Sequence, residues 1–144
     1  GWFLVINTIG LLVLTFSYSK RSRVEGMIYL RKKGDVTNII MEGDVSLQRP
    51  PLFYLGKHLE NYVLPEGGTI EQLKIEMDTS RKPVPNYVIM AGNQNFDQRL
   101  AKLKTLFPRL KQEVIIKTGF VDNLAHWLNP KNNQNENWYI YKIE

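Results

Sequence analysis

The chain has 144 residues, 43% hydrophobic and 23% charged, the proportions of an ordinary folded domain and not of a disordered tail. Its formal charge is +5, but beyond one cluster the basic residues are dispersed among acids, which argues against a nucleic-acid surface. There is no cysteine, so disulfides, thiolate metal sites and cysteine nucleophiles are excluded, while His58 and His126 stand too far apart to suggest a zinc site.

Trp2 to Ser19 carry no charge, and Lys20-Arg21-Ser22-Arg23 follow at once. Eighteen helical residues rise about 27 Å, just short of a hydrocarbon core of about 30 Å. Asn7, Thr8, Thr15 and Ser17 are uncharged polar residues that a helix bundle tolerates, and Trp2 and Tyr18 sit where rings favour the interface. Residues 1–21 therefore read as the C-terminal end of a membrane-spanning region. A helix buried in a soluble core is the alternative. A signal peptide fits poorly, because its basic residues should precede the apolar run. Lys20, Arg21 and Arg23 form a membrane-proximal basic cluster attracted to anionic headgroups. Gly1 in place of Met suggests a piece cut from a longer protein. Taken out of a bundle, residues 2–19 would seek apolar cover on their own domain or, by self-association, on a second copy.

Residues 22–144 make one extramembrane domain by length. Ser22 and Glu25 have capping-box spacing and predict a helix to about Lys33, ended by Gly34-Asp35. Thr37 to Met41 reads as a short buried strand. Pro50-Pro51 exclude a helix interior, with a helical turn to follow over Leu52 to His58. Glu60 to Leu64 suits a strand and Pro65 to Gly68 a turn. Thr69 to Met77 fits helical spacing (Ile70, Leu73, Met77) and strand alternation (Leu73, Ile75, Met77); a helix passing into a short strand is expected. Asn86 to Ala91 is the clearest strand, an apolar run covered on both faces. Asn95 is placed to cap a helix whose stripe is Phe96, Leu100, Leu103 and Phe107, stopped by Pro108. Glu113 to Lys117 reads as a strand and Val121 to Leu128 as a second amphipathic helix. Asn129-Pro130 ends it, an Asn-rich loop follows, and Trp138 to Ile143 closes as a strand. This alternation predicts an α/β fold: a small, mostly parallel sheet with crossover helices, Rossmann-like and three-layered, preceded by an apolar N-terminal helix. Ile39-Ile40-Met41-Glu42-Gly43-Asp44 echoes Val88-Ile89-Met90-Ala91-Gly92-Asn93, too briefly to mark a duplication.

Signals of chemistry are weak. Gly92-Asn93 before a helix could approach a phosphate, but the dinucleotide fingerprint needs three spaced glycines. Asp122 and His126 lie four apart on one helix face and suit a base with its orienting acid, or a structural pair. Arg49 beside Pro50-Pro51, with Phe53 and Tyr54, suits a recognition surface or a plain turn. Asn129, Asn132 and Asn135 could bond sugar hydroxyls or serve turns. Arg99, Lys102, Lys104, Arg109, Lys111 and Lys117 read as a solvated face interspersed with Asp97 and Glu113.

The sequence Asp122-x-x-x-His126-Trp127-Leu128-Asn129-Pro130-x-Asn132-x-x-Asn135, with Tyr139-Ile140-Tyr141 and Tyr87 to Gly92, resembles the C-terminal region of bacterial polytopic GT-C type glycosyltransferases. These are similar to protein mannosyltransferases and Alg9-like mannosyltransferases. The resemblance covers about half the chain, and no motif in it is diagnostic alone. It implies a parent enzyme that moves a sugar from a polyprenyl-phosphate carrier to a lipid, glycan or protein acceptor. It implies catalytic carboxylates in an early loop not present here, so no catalytic residue is assigned; the residues themselves suggest no cofactor and no metal. Arg49, Tyr54, Asp122, His126, Asn129, Asn132 and Asn135 would then serve acceptor or loop recognition. Expected partners are membrane lipid, the rest of the parent protein and a glycan or lipid-linked sugar. The resemblance implies a bacterial inner membrane with the domain periplasmic, whereas the basic cluster would by the positive-inside rule hold it cytoplasmic. A ligand- or partner-binding module of another membrane protein, and a small stand-alone enzyme using Asp122 and His126, are the alternatives.

Overall fold

A computed structural model describes residues 1–16, 21–43, 50–65, 67–130 and 136–144, with the backbone alone over 12–16. In chain order the elements are α1 (Trp2–Phe16), α2 (Arg21–Lys33), β1 (Ile39–Gly43), a 3-10 turn (Leu52–Leu55) and β2 (Tyr62–Pro65). There follow α3 (Ile70–Thr79), β3 (Tyr87–Ala91), α4 (Phe96–Leu106), β4 (Leu110–Ile116), α5 (Phe120–Leu128) and β5 (Trp138–Ile143).

The result is a mixed α/β fold around a five-stranded sheet of order β2-β1-β3-β5-β4. β1 pairs in parallel with β2 and β3, whereas β5 is antiparallel to both β3 and β4. The sheet is thus parallel on one side and antiparallel on the other. The short sequence echo reappears as neighbouring strands, with Ile40 opposite Val88 and Met41 opposite Ile89.

Every residue of β1 and β3 is buried, as continuous apolar runs require of strands covered on both faces. Alternate residues feed two cores. Ile39, Met41, Tyr87, Ile89, Ala91, Trp138 and Ile140 meet Met27 and Leu30 of α2 and Leu55 of the 3-10 turn. Ile40, Tyr62, Leu64, Val88, Met90 and Tyr141 meet Leu73 of α3 and Leu103 of α4.

Four local expectations change. Residues 70–79 form a helix throughout, because the Thr69 hydroxyl accepts from the Gln72 backbone amide and Gln72 Oε1 accepts from the Thr69 backbone amide. Asn95 does not cap α4 with its side chain; it sits at φ 56°, a left-handed position that Asn tolerates. Ser22 is not an N-cap either. It lies inside α2, buried, and its hydroxyl donates to the Glu136 carbonyl at 3.1 Å, while Glu25 pairs with Arg21. β4 is also longer than expected, beginning at Leu110, with a register shift between Gln112 and Val114.

α1 has 15 residues, and Trp2 to Leu11 are all exposed. Among the described residues, no helix is long and apolar enough to cross a membrane.

Candidate functional site

β1, β2 and β3 run the same way, and β4 shares their direction through β5. Their C-terminal ends, Pro65, Gly43, Ala91 and Ile116, therefore line one edge of the sheet, with Trp138 at the start of β5 between the last two. In open α/β sheets ligands bind outside this edge, where adjacent strands send their connections to opposite faces. β1 leads to the 3-10 turn in the first core, and β3 leads to α4 in the second. The switch point thus falls between β1 and β3.

A buried ion pair occupies it. Arg99 of α4 donates from Nη1 to Glu42 Oε2 at 2.9 Å and from Nη2 to the Ala91 carbonyl at 2.5 Å. Glu42 is 3% exposed and Arg99 8%. A charge pair removed from water this far is held by geometry and hydrogen bonding, not by Coulomb attraction alone. Arg99 Nε and Asn93 Oδ1 are buried without a hydrogen-bond partner among the described residues. Arg99 therefore does not belong to the solvated basic face expected from sequence. Two signals pointed inward: Glu42 ends the apolar run Ile39-Ile40-Met41, and Arg99 falls three residues after Phe96, within the stripe of α4.

Beside the pair, the Gly92 amide donates to the Asn137 carbonyl at 2.9 Å. A Cβ at Gly92 would stand 2.6 Å from a ring carbon of Tyr139, which packs on Phe96 with ring centroids 4.4 Å apart. The glycine serves this close packing, and its amide is already engaged, which weakens the phosphate reading.

The same edge carries the start of α2, which follows α1 in the chain. Arg21 begins α2, and five peptide steps link it to Phe16, so the end of α1 lies within about 18 Å. The Arg21 amide donates to Asp122 Oδ2 at 3.2 Å, and the Gly119 amide donates to the same oxygen at 3.2 Å. Asp122, 8% exposed, is thereby a cap shared by α2 and α5. Thr118 joins the cluster through its amide, which donates to Asn137 Oδ1 at 3.1 Å.

Of the residues singled out from sequence, Arg21, Arg23 and Asp122 gather at this edge. His126 is exposed one turn further along α5, and Asn129 is the C-cap of that helix. The two-amide role of Asp122 favours a structural pair over an acid orienting a base. Lys20, Arg49, Asn132 and Asn135 lie outside the described residues; the segment with Arg49 departs from Gly43, and the one with Asn132 and Asn135 rejoins at Glu136. Tyr54 stands apart, edge-on to Phe53 at 5.6 Å between ring centroids. The 3-10 turn leads towards the opposite edge, where Lys57 reaches the Val36 carbonyl. An open depression of about 390 Å³, lined by Leu52, Phe53, Gly56, Lys57 and His58, adjoins that turn.

Shifted titrations are found elsewhere. The hydrogen bond from Lys142 at 2.7 Å, helped by that from Tyr87 at 2.8 Å, holds the Asp35 carboxyl below its usual range. Lys33, followed by burial acting in opposition, dominates Glu113, whose carboxyl is likewise lowered. Both anchor the sheet to α2 and the loop after it, away from the C-terminal edge. Among the described residues no three His, Asp or Glu side chains converge as a metal site. Compared with known proteins, the chain matches no family model, no curated protein and no solved structure.

Proposed function

We propose that the chain is the membrane-tethered, non-catalytic domain of an integral-membrane glycosyltransferase of the GT-C type, acting beside the enzyme's active site. The observation that carries this reading is that the chain coming from the apolar helix α1 enters the domain at Arg21, on the C-terminal edge of the sheet. A tether at that edge turns Glu42, Arg99, Gly92 and α5 towards the bilayer. A lipid-linked sugar and its acceptor would meet the parent enzyme there. The two cores on opposite faces fit a Rossmann-like three-layer plan with β5 reversed. Asp122 works as a clasp, in keeping with a domain that orders its surroundings and leaves the transfer chemistry to another part of the enzyme.

At 15 described residues, about 22 Å, α1 alone is shorter than the hydrocarbon core of about 30 Å. It would therefore act within a bundle of neighbouring spans. The gene supplies one test: several spans with an acidic pair in the first loop agree with the transferase, and a single span removes it. Biochemically, the chain in bilayers holding a photoactivatable polyprenyl-phosphate sugar should cross-link along the C-terminal edge without turning the sugar over. Turnover that disappears in His126→Ala would establish a stand-alone enzyme instead. The unpartnered Arg99 Nε favours one second reading, a ligand-binding α/β module of another membrane protein. Cross-linking to a soluble ligand in preference to the lipid-linked sugar would support it.

A further inference from the structure

We infer that α5 is an interfacial membrane helix: Phe120, Leu124, Trp127 and Leu128 rest in the headgroup region of the bilayer that α1 enters. This rests on the tether in the preceding reading and not on the transferase activity.

At 100° per residue, Trp127, Phe120, Leu124 and Leu128 fall in that order across an arc of about 100°. In an ordinary amphipathic helix such an arc faces the core. Here three of its four residues face outward, with Leu124 half-buried between them. Phe120 is 71% exposed, Trp127 77% and Leu128 68%. The helix meets its domain through other positions, Val121 and Asp122, both buried. Phe120, Trp127 and Leu128 are thus not the face that folding uses.

Several observations select lipid as the occupant. Asp122 fixes the first turn of α5 to Arg21, the residue at the root of α1, whose side chains from Trp2 to Leu11 are exposed too. The C-terminal end of α1 is therefore within about 18 Å of Arg21, against which α5 begins. Tryptophan and phenylalanine beside His126 and Asn129 make the composition of an interfacial belt, apolar inward and polar at the rim. Lys20, Arg21 and Arg23 follow α1 in sequence against the single acid Glu25, which suits anionic headgroups. A second copy is a poorer occupant. On α5, two aromatic side chains of about 150–250 Å² each with Leu128 and the half-buried Leu124 fall short of the ~800 Å² per partner of a stable interface.

The three tryptophans make the test local. Trp138 is buried in the core and reports folding, Trp2 reports α1, and Trp127 reports α5. The full chain is reconstituted into phosphatidylcholine–phosphatidylglycerol vesicles as Trp2→Phe and, separately, as Trp127→Phe. In the first variant Trp127 emission should shift to the blue and lose its quenching by aqueous iodide. Brominated lipids should then quench it at a depth of about 5–10 Å below the headgroups. If Trp2 is shielded while Trp127 stays open to iodide, the tether stands and the interfacial role of α5 falls. If both stay open, the tether falls as well. Shielding of Trp127 that needs no lipid and grows with protein concentration would assign the face to a second copy. Shielding in vesicles without quenching by brominated lipid would assign it to protein contact. Either result overturns the proposal.

Discussion

Asp122 and Arg21 are 101 residues apart in sequence, yet the carboxylate of one accepts the backbone amide of the other at 3.2 Å. The same oxygen accepts the Gly119 amide. One side chain therefore starts α5 and secures the start of α2. Asp122→Ala should destabilise the fold by about 1–3 kcal/mol, since a cap is worth about 1 kcal/mol and a buried amide is left unsatisfied. Asp122→Asn keeps an acceptor and should recover a large part of the loss. Urea unfolding followed by circular dichroism measures both.

The Glu42–Arg99 pair makes a different demand. Arg99→Met strands a carboxylate that is 3% exposed, and the loss should be roughly 3–5 kcal/mol. Combining it with Glu42→Gln removes the stranded charge, so the double variant should be more stable than Arg99→Met alone. A double-mutant cycle in urea checks the ordering; a double-variant loss equal to the sum of the two single losses would mean that the pair contributes no coupling.

Gly26 lies in α2, where alanine would ordinarily gain about 1 kcal/mol in helix propensity. Its Cβ would stand 2.9 Å from a ring carbon of the buried Trp138. Overpacking of that kind costs about 1–3 kcal/mol, so Gly26→Ala should be net destabilising. Trp138 should report the disturbance in the near-ultraviolet circular dichroism. A stabilised variant would show that the ring moves aside freely.

Acid stability should depend on Asp35 and Glu113. Lys142 lowers the carboxyl of the first and Lys33 that of the second, relative to unfolded values of about 3.9 and 4.3. Their contribution is complete above those values and is lost as pH falls through the lower folded ones. In the alkaline range Lys142 and Lys33 are raised by the same partnerships, and burial raises the Tyr87 hydroxyl. That contribution is lost as pH climbs above about 10. Urea midpoints should be level through neutral pH, decline below about pH 4, and decline less steeply in Asp35→Asn. The slope should be shallow, because the carboxylates are solvent-accessible and exposed pairs contribute little.

Local pattern made much of the fold legible. Phe96, Leu100, Leu103 and Phe107 announced α4 through their spacing, and the apolar run Tyr87 to Met90 announced β3. Thr69 to Met77 matched two periods at once, and the reciprocal bonds of Thr69 and Gln72 decided for helix. The order of the strands was not legible. Nothing within Trp138 to Ile143 says that it pairs with β3 on one side and β4 on the other, because such pairing is a tertiary choice. The site was legible in part for the same reason. Asp122 drew notice as a possible acid, but its partner Arg21 stands at the far end of the chain. Arg99 was taken for a surface charge, since α4 carries other basic residues and only Glu42, on a distant strand, marks it as internal.

The position of β5 also has a consequence for biosynthesis. Among the described residues the only strand that β4 pairs with is β5, which is made after it. Until the ribosome has released residues 138–143, β4 is a strand with no sheet to join, and the edge of β3 beside it is open. The parallel half can assemble first, but closure must wait. A nascent chain paused between residues 116 and 138 would expose Val114, Ile115 and Ile116 together with that edge, the combination that recruits chaperones or pairs with a neighbouring chain.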